Sequence, residues 1–182
     1  GLSVAVQGLG SVGTHLCRDL HAAGARLLVA DVHQPAVDQA VAEFGAQVVG
    51  VDEILAAPAE VLAPCALGGI LHADSIPRIQ ARIVAGGANN QLLSDGDGER
   101  LMARGILYAP DYVINAGGII NVAAQYLGNL SDAQVMDKLK GIGERLTEIF
   151  ARAEREARPT SVVADEMARA VIARGKNKGE AS

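Results

Sequence analysis

The sequence predicts a doubly wound α/β domain: a mostly parallel sheet with helices on both faces, followed by a helical C-terminal region. Short apolar runs alternate with helix-length segments through the first two-thirds of the chain, the pattern of a parallel sheet with crossover helices. The first run stops at a glycine triplet that opens a helix. From Ser131 onward the apolar spacing is helical. At 182 residues the chain is long enough to bury a core without disulfide or metal staples.

The apolar run Leu2-Ser3-Val4-Ala5-Val6 reads as the first buried strand, and Gly8-Leu9-Gly10-Ser11-Val12-Gly13 follows it directly. Gly8 supplies the tight turn, Gly10 lets the backbone approach a phosphate, and Gly13 lets helix and strand pack closely. Ser11 and Val12 offer backbone N–H groups at the positive end of the helix. That helix, Ser11 to Ala23, ends at Gly24, and Arg26 to Ala30 is a second buried strand closing on Asp31. A strand, a glycine loop, a helix and an acidic residue at the next strand end form the fingerprint of a Rossmann-like dinucleotide site. The loop takes the pyrophosphate and Asp31 takes the adenosine ribose hydroxyls. A 2′-phosphate would place like charge beside Asp31, where Val32 and a mostly neutral His33 follow instead of arginine, so the site favours NAD over NADP.

Pro35 opens a helix that runs to Phe44 and stops at Gly45, and Gln47-Val48-Val49 is a short third strand. Asp52 caps a short helix to Ala56, Glu60 to Ala63 is a fourth strand, and Arg82 to Ala85 a fifth. Asp97 to Arg104 reads as helix and Gly105 to Ala109 as a sixth strand before Pro110. Ligands of such sheets bind beyond the carboxyl ends of the strands, which selects the segments Ala63–Gly69, Gly86–Gln91 and Asp111–Asn121. Their small residues let backbone approach a flat ring, and Asn89, Asn90 and Asn115 offer both donors and acceptors; the same asparagines equally suit turns. Ser131-Asp132-Ala133-Gln134 has capping-box spacing, and Val135, Leu139, Ile142, Leu146, Ile149 and Phe150 form one apolar stripe. A last helix from Pro159-Thr160-Ser161 points Val163, Met167 and Val171 inward. Residues 1–130 thus form the dinucleotide-binding domain, 131–174 the C-terminal helices and 175–182 a flexible tail.

Composition narrows the function further. A net charge of −5, 3% aromatic residues and no tryptophan argue against nucleic acid. Neither of the two cysteines, Cys17 and Cys65, lies in a ligand-spaced cluster, so no metal site is read; both suit buried, reduced thiols of a cytoplasmic protein. No apolar run is long enough for a transmembrane helix, and no internal repeat is present.

The runs Val4–Gly13, Ala63–Gly68, Gly87–Leu92 and Gly105–Gly118 together resemble the glutamate/leucine/phenylalanine/valine dehydrogenases, most of all the leucine dehydrogenase branch. The resemblance extends from about Gly1 to Ala173. It implies oxidative deamination of an L-amino acid to its 2-oxo acid and ammonia with NAD as hydride acceptor. It places Gly8 to Gly13 on the pyrophosphate and Asp31 on the ribose, with Cys65 and Ala66 lining the groove. Asn90 falls near the nicotinamide and the substrate carboxylate, Asn115 on the carboxamide, and Ile119 and Val122 against the substrate side chain. Ile119, Ile120 and Val122 form an apolar wall that would leave a second carboxylate desolvated and unpaired, favouring a branched aliphatic substrate, leucine first.

The family's catalytic lysine and its aspartate partner belong to an N-terminal domain. The four lysines here, Lys138, Lys140, Lys176 and Lys178, lie far in sequence from all three strand-end segments. With the glycine loop starting seven residues after Gly1 and no initiating methionine, the chain reads as the NAD-binding half of a two-domain enzyme, inactive alone and homo-oligomeric when whole. Its C-terminal helices would dock on the missing half and otherwise leave apolar surface exposed. The alternatives are a stand-alone, non-catalytic NAD-binding module and a different Rossmann dehydrogenase sharing only the fingerprint.

Overall fold

The computed structural model describes residues 1–127 and 130–179. Six strands form one sheet: β1 (Ser3–Gln7), β2 (Arg26–Ala30), β3 (Gln47–Val48), β4 (Val61–Pro64), β5 (Ile83–Val84) and β6 (Leu107–Tyr108), in the order β3-β2-β1-β4-β5-β6. Every pairing is parallel. The order reverses on either side of β1, which pairs Val6 with Val29 of β2 and with Ala63 of β4. A crevice for a ligand opens at such a switch point.

Strand alternation splits the core in two. Val4 and Val6 face α1 (Ser11–Ala22) and α2 (Gln34–Phe44), where they pack with Cys17, Val37 and Phe44. Ala5 and Leu62 face the other way, into Ile54, Ile79 and Leu101 of the opposite layer. The glycine stop of α2 is borne out: Gly45 takes φ 61° there, a left-handed cap that side-chain-bearing residues adopt with strain.

Four further helices follow α3 (Gly96–Ala103): α4 (Asp111–Ile114), α5 (Gly117–Leu127), α6 (Asp132–Glu156) and α7 (Thr160–Gly179). The expected capping box is present in both directions at Ser131 and Gln134. Near their turn α6 and α7 bury Ile149, Ala153, Val163 and Ala164. Arg152 and Arg158 clamp Glu166, with Arg152 2.8 Å from it and 2.7 Å from Glu156. The guanidinium groups hold both Glu156 and Glu166 below the ordinary glutamate range.

The structure corrects several expected elements. The short helix attributed to an Asp52 cap is a 3₁₀ turn, Ile54–Ala56, with no side-chain cap, and a second such turn covers Ile76–Arg78. Asp111–Asn121 does follow a strand end, that of β6, but it is helix rather than loop on both sides of Asn115, with Pro110 as the N-cap of α4 and Gly117 the first residue of α5. Val171 is 54% exposed rather than inward, since α6 and α7 bury apolar residues only near their turn. Helix continues through 175–179, where a tail was expected, and 180–182 lie outside the described residues. No helix among the described residues is long and apolar enough to cross a membrane.

Candidate functional site

The glycine loop sits at the C-terminal end of β1, and its three glycines do different work. Gly8 has φ 94°, and a Cβ on it would lie 2.7 Å from that of Ala66. A Cβ on Gly13 would lie 1.9 Å from the Gly8 carbonyl oxygen, so α1 can leave the strand this closely only at glycine. Gly10 is the opposite case. Nothing stands within 4 Å of a Cβ there, and Gly10, the N-cap of α1, leaves the helix with no side-chain cap. Open space in front of uncapped first-turn N–H groups fits a diphosphate. Ser11 and Val12 are exposed on this turn, as that role requires.

Asp31 is tied to this loop. Its Oδ2 accepts the Leu9 N–H at 2.5 Å and its Oδ1 accepts the His33 N–H at 2.8 Å. Each oxygen keeps a further lone pair for a ribose hydroxyl. Leu9 departs from its expected place on a diphosphate, since its N–H is committed to Asp31 and its side chain is buried with Val6 and Val29. His33 is exposed, as a solvated loop residue should be.

Beyond β4, Cys65 lies against Gly13 and Gly87, and the exposed Ala66 covers Gly8. Burial pushes the Cys17 thiol up to about 11 and raises Cys65 as well, so both are thiols at neutral pH. The loops after β4 and β5 are zipped together: Ala88 N–H donates to Pro64 O at 2.9 Å and Gly69 N–H to Asn90 O at 2.7 Å. Gly68 and Gly86 allow this contact, for a Cβ on Gly68 would overlap the backbone oxygens of Asn89 and Asn90, and one on Gly86 the backbone of Pro64 at the end of β4. Asn90 has φ 52°, so the turn reading of that residue describes its backbone.

Next to the glycine loop, between β5 and α5, is a cavity of about 680 Å³. Val12, Gly87, Asn89, Asn115, Ile119 and Val122 line it. Here the Asn115 amide donates to Asn89 Oδ1 at 2.5 Å. Asn115, Ile119 and Val122, far apart in role but close in sequence, therefore share one space. Asn90 lies beside it on the exposed turn, and Asn89 is the asparagine that faces Asn115.

Sequence reasoning missed the buried polar group beneath this pair. Gln91 is fully buried and its Nε2 donates to Gly86 O at 2.8 Å and Ala88 O at 2.9 Å. Its own N–H donates to Asp111 Oδ2 at 3.2 Å, and the Asp111 N–H donates to the Tyr108 hydroxyl at 3.3 Å. Burial, then the Asp111 carboxylate, raises the Tyr108 phenol far enough that it stays protonated. Gln91 Oε1 is buried without a hydrogen-bond partner among the described residues, a loss of about 1–3 kcal/mol for such a group. The sequence signal was Gln91 ending the amide run Asn89-Asn90-Gln91 just before the apolar pair Leu92-Leu93.

With this geometry in hand, likeness to known proteins becomes specific. The sequence profile of the Glutamate/Leucine/Phenylalanine/Valine dehydrogenases matches residues 28–175. The chain belongs to that family. It is 46% identical to a leucine dehydrogenase of Geobacillus stearothermophilus over 168 residues, which cover 92% of this chain and 46% of that one. It is 41% identical to a phenylalanine dehydrogenase of Caldalkalibacillus thermarum, covering 89% of this chain and 45% of that one. The crystal structure of L-tryptophan dehydrogenase from Nostoc punctiforme superposes with a TM-score of 0.91 at 42% identity, covering 96% of this chain and 53% of the other. The chain spans about half the length of the curated relatives it matches.

One lysine is closer in space to a strand-end segment than its position in sequence implies. Lys138 of α6 lines a second, apolar groove of about 460 Å³ together with Tyr112, Val113 and Ala116. That groove lies on the α6–α7 side of the segment, and Lys138 does not line the cavity that holds Asn89 and Asn115. Among the described residues, no cluster of histidine, cysteine or carboxylate side chains could hold a metal ion.

Proposed function

We propose that this chain is the NAD-binding half of an amino acid dehydrogenase that deaminates an apolar L-amino acid, leucine favoured, to its 2-oxo acid, ammonia and NADH. The observation that carries the reading is a single continuous rim. Val12 belongs both to the open, uncapped N-terminus of α1 and to the cavity where Asn89 meets Asn115. Gly10, Ser11 and Val12 would hold the diphosphate of a dinucleotide, and the Asn89–Asn115 pair would meet its nicotinamide end.

Bound NAD would supply the hydride acceptor for oxidation at the α-carbon of the amino acid. The chain's own residues do the rest of the placement. Gly10, Ser11 and Val12 bind the diphosphate, and Asp31 binds the adenosine ribose while holding the loop through Leu9. Asn115 and Asn89 orient the carboxamide, with Asn90 at the substrate carboxylate. Cys65 and Ala66 wall the groove. Ile119 and Val122, both more than half exposed, wait for a substrate side chain to cover them. Their apolar surface excludes a second carboxylate, which would lie unpaired against it. The relatives' names, which include leucine and phenylalanine dehydrogenases, match an apolar substrate class.

The general base is assigned to a preceding domain, so this half binds cofactor without turnover. The complete enzyme is taken to be a cytoplasmic homo-oligomer, in keeping with the free thiols of Cys17 and Cys65 and the apolar groove on α6 and α7. Titration of the chain with NADH and NADPH, followed by nicotinamide fluorescence, tests the reading: NADH binds and NADPH binds at least about tenfold more weakly. Equal affinity for both overturns the role of Asp31, and absence of NADH binding by folded chain overturns the whole reading. NADH formation from leucine by the chain alone would remove the need for a second domain.

A further inference from the structure

The structure assigns to Gln91 and Asp111 a positioning role: together they set the separation of the Asn89–Asn115 pair on which the proposed cofactor site depends. Asn89 and Asn115 lie on different elements, the loop after β5 and the end of α4, so something must fix one against the other. The direct contact is a side-chain hydrogen bond at the protein surface, which water competes for. Beneath it the connection is buried. Asp111 starts α4 four residues before Asn115, and its carboxylate takes the N–H of Gln91, two residues after Asn89.

The orientation of the Gln91 amide is forced. Two carbonyls, Gly86 O and Ala88 O, both face its nitrogen, so a flipped amide would set oxygen against oxygen. The amide thereby closes the loop Gly86–Asn90 from inside, leaving Oε1 unpaired as the consequence. Aspartate at position 111 is anchored in turn, since its own N–H is held by the Tyr108 hydroxyl and the Tyr108 carbonyl accepts from Thr160 at 2.6 Å. The asparagine pair is thus referenced through buried bonds to strand β6, and from there through a part-buried bond to the start of α7. Neither Gln91 nor Asp111 lines the cavity, so both act through the asparagines.

This inference rests on the dinucleotide reading above, and the experiment separates the two. In the isotopically labelled chain, the Asn115 side-chain NH₂ protons are followed by NMR in the parent and in Gln91→Glu, Asp111→Asn and Asp111→Ala, with NADH affinity and melting temperature measured alongside. Gln91→Glu, which turns a donor facing two carbonyls into an acceptor, and Asp111→Ala, which removes the acceptor, should each shift the Asn115 NH₂ signals and weaken NADH about tenfold. Asp111→Asn keeps a carbonyl acceptor and should stay within about threefold of the parent. Variants that lower the melting temperature but leave the Asn115 signals and NADH affinity unchanged show a merely structural role and overturn the inference. If the parent binds no NADH, the dinucleotide reading falls, and the Asn115 signals alone decide: shifted in Gln91→Glu and Asp111→Ala, the positioning role stands; unshifted, it falls too.

Discussion

At the rim of the sheet, backbone touches backbone. Gly8 and Gly13 let α1 leave β1 with no intervening side chain, Gly68 and Gly86 do the same for the loops after β4 and β5, and main-chain hydrogen bonds zip those loops together. The α6–α7 hairpin is assembled differently, from a small patch of buried apolar residues near its turn and a cluster of arginine–glutamate pairs, while Ile142, Met167 and Val171 line an open groove further along. Side chains can change rotamer to absorb a misfit; main-chain atoms cannot. Geometry is therefore fixed most tightly where a ligand's position would matter, and most loosely where an apolar face awaits cover.

The sharpest way to break this comparison is to add one methyl group in two places along the same loop. Gly13→Ala puts a carbon into the Gly8 carbonyl and should cost about 3 kcal/mol or more, because no rotamer relieves it; chemical denaturation measures this directly. Gly10→Ala meets no protein atom, so its stability should stay within about 1 kcal/mol of the parent. Its NADH affinity should nevertheless fall about tenfold or more, read by fluorescence titration. If both variants unfold alike, or both bind alike, the division of labour among the glycines is wrong.

Asp31→Ala follows in size. It removes the acceptor of the Leu9 and His33 N–H groups together with the proposed ribose contact, and should weaken NADH by about 1–3 kcal/mol while narrowing the preference over NADPH.

The hairpin should yield to acid where the rim does not. Glu156 and Glu166 have folded pKa values lowered from 4.5, with side-chain hydrogen bonds from arginine the largest cause. A depressed carboxylate adds stability above its unfolded pKa and loses it as pH falls through the folded value. Protection factors for amide exchange in α6 and α7 should therefore fall as pH drops below about 4.5, ahead of those in α1 and β2. Glu166→Gln should remove most of that pH dependence, and uniform exchange across both regions would count against the contrast. The smallest stability effect belongs to the exposed face. Val171→Ser should change stability by no more than about 0.5 kcal/mol yet reduce self-association, measured by sedimentation.

Much of this was legible in the sequence because it depends on local rules. A glycine that must turn, an alternation that must bury two faces, a capping box and a left-handed helix stop each follow from backbone sterics within a few residues, and Gly8, Gly45, Ser131 and the two-faced core of the parallel sheet bear them out. Tertiary structure alone decided which asparagine faces Asn115, that Leu9 serves Asp31, and that Gln91 and Asp111 are buried under the site. These outcomes depend on what another loop or helix presents across a gap, and no spacing along one chain segment encodes the position of its neighbour. Periodicity names the apolar face of α7, but only the packed hairpin decides that Val163 is covered and Val171 is not.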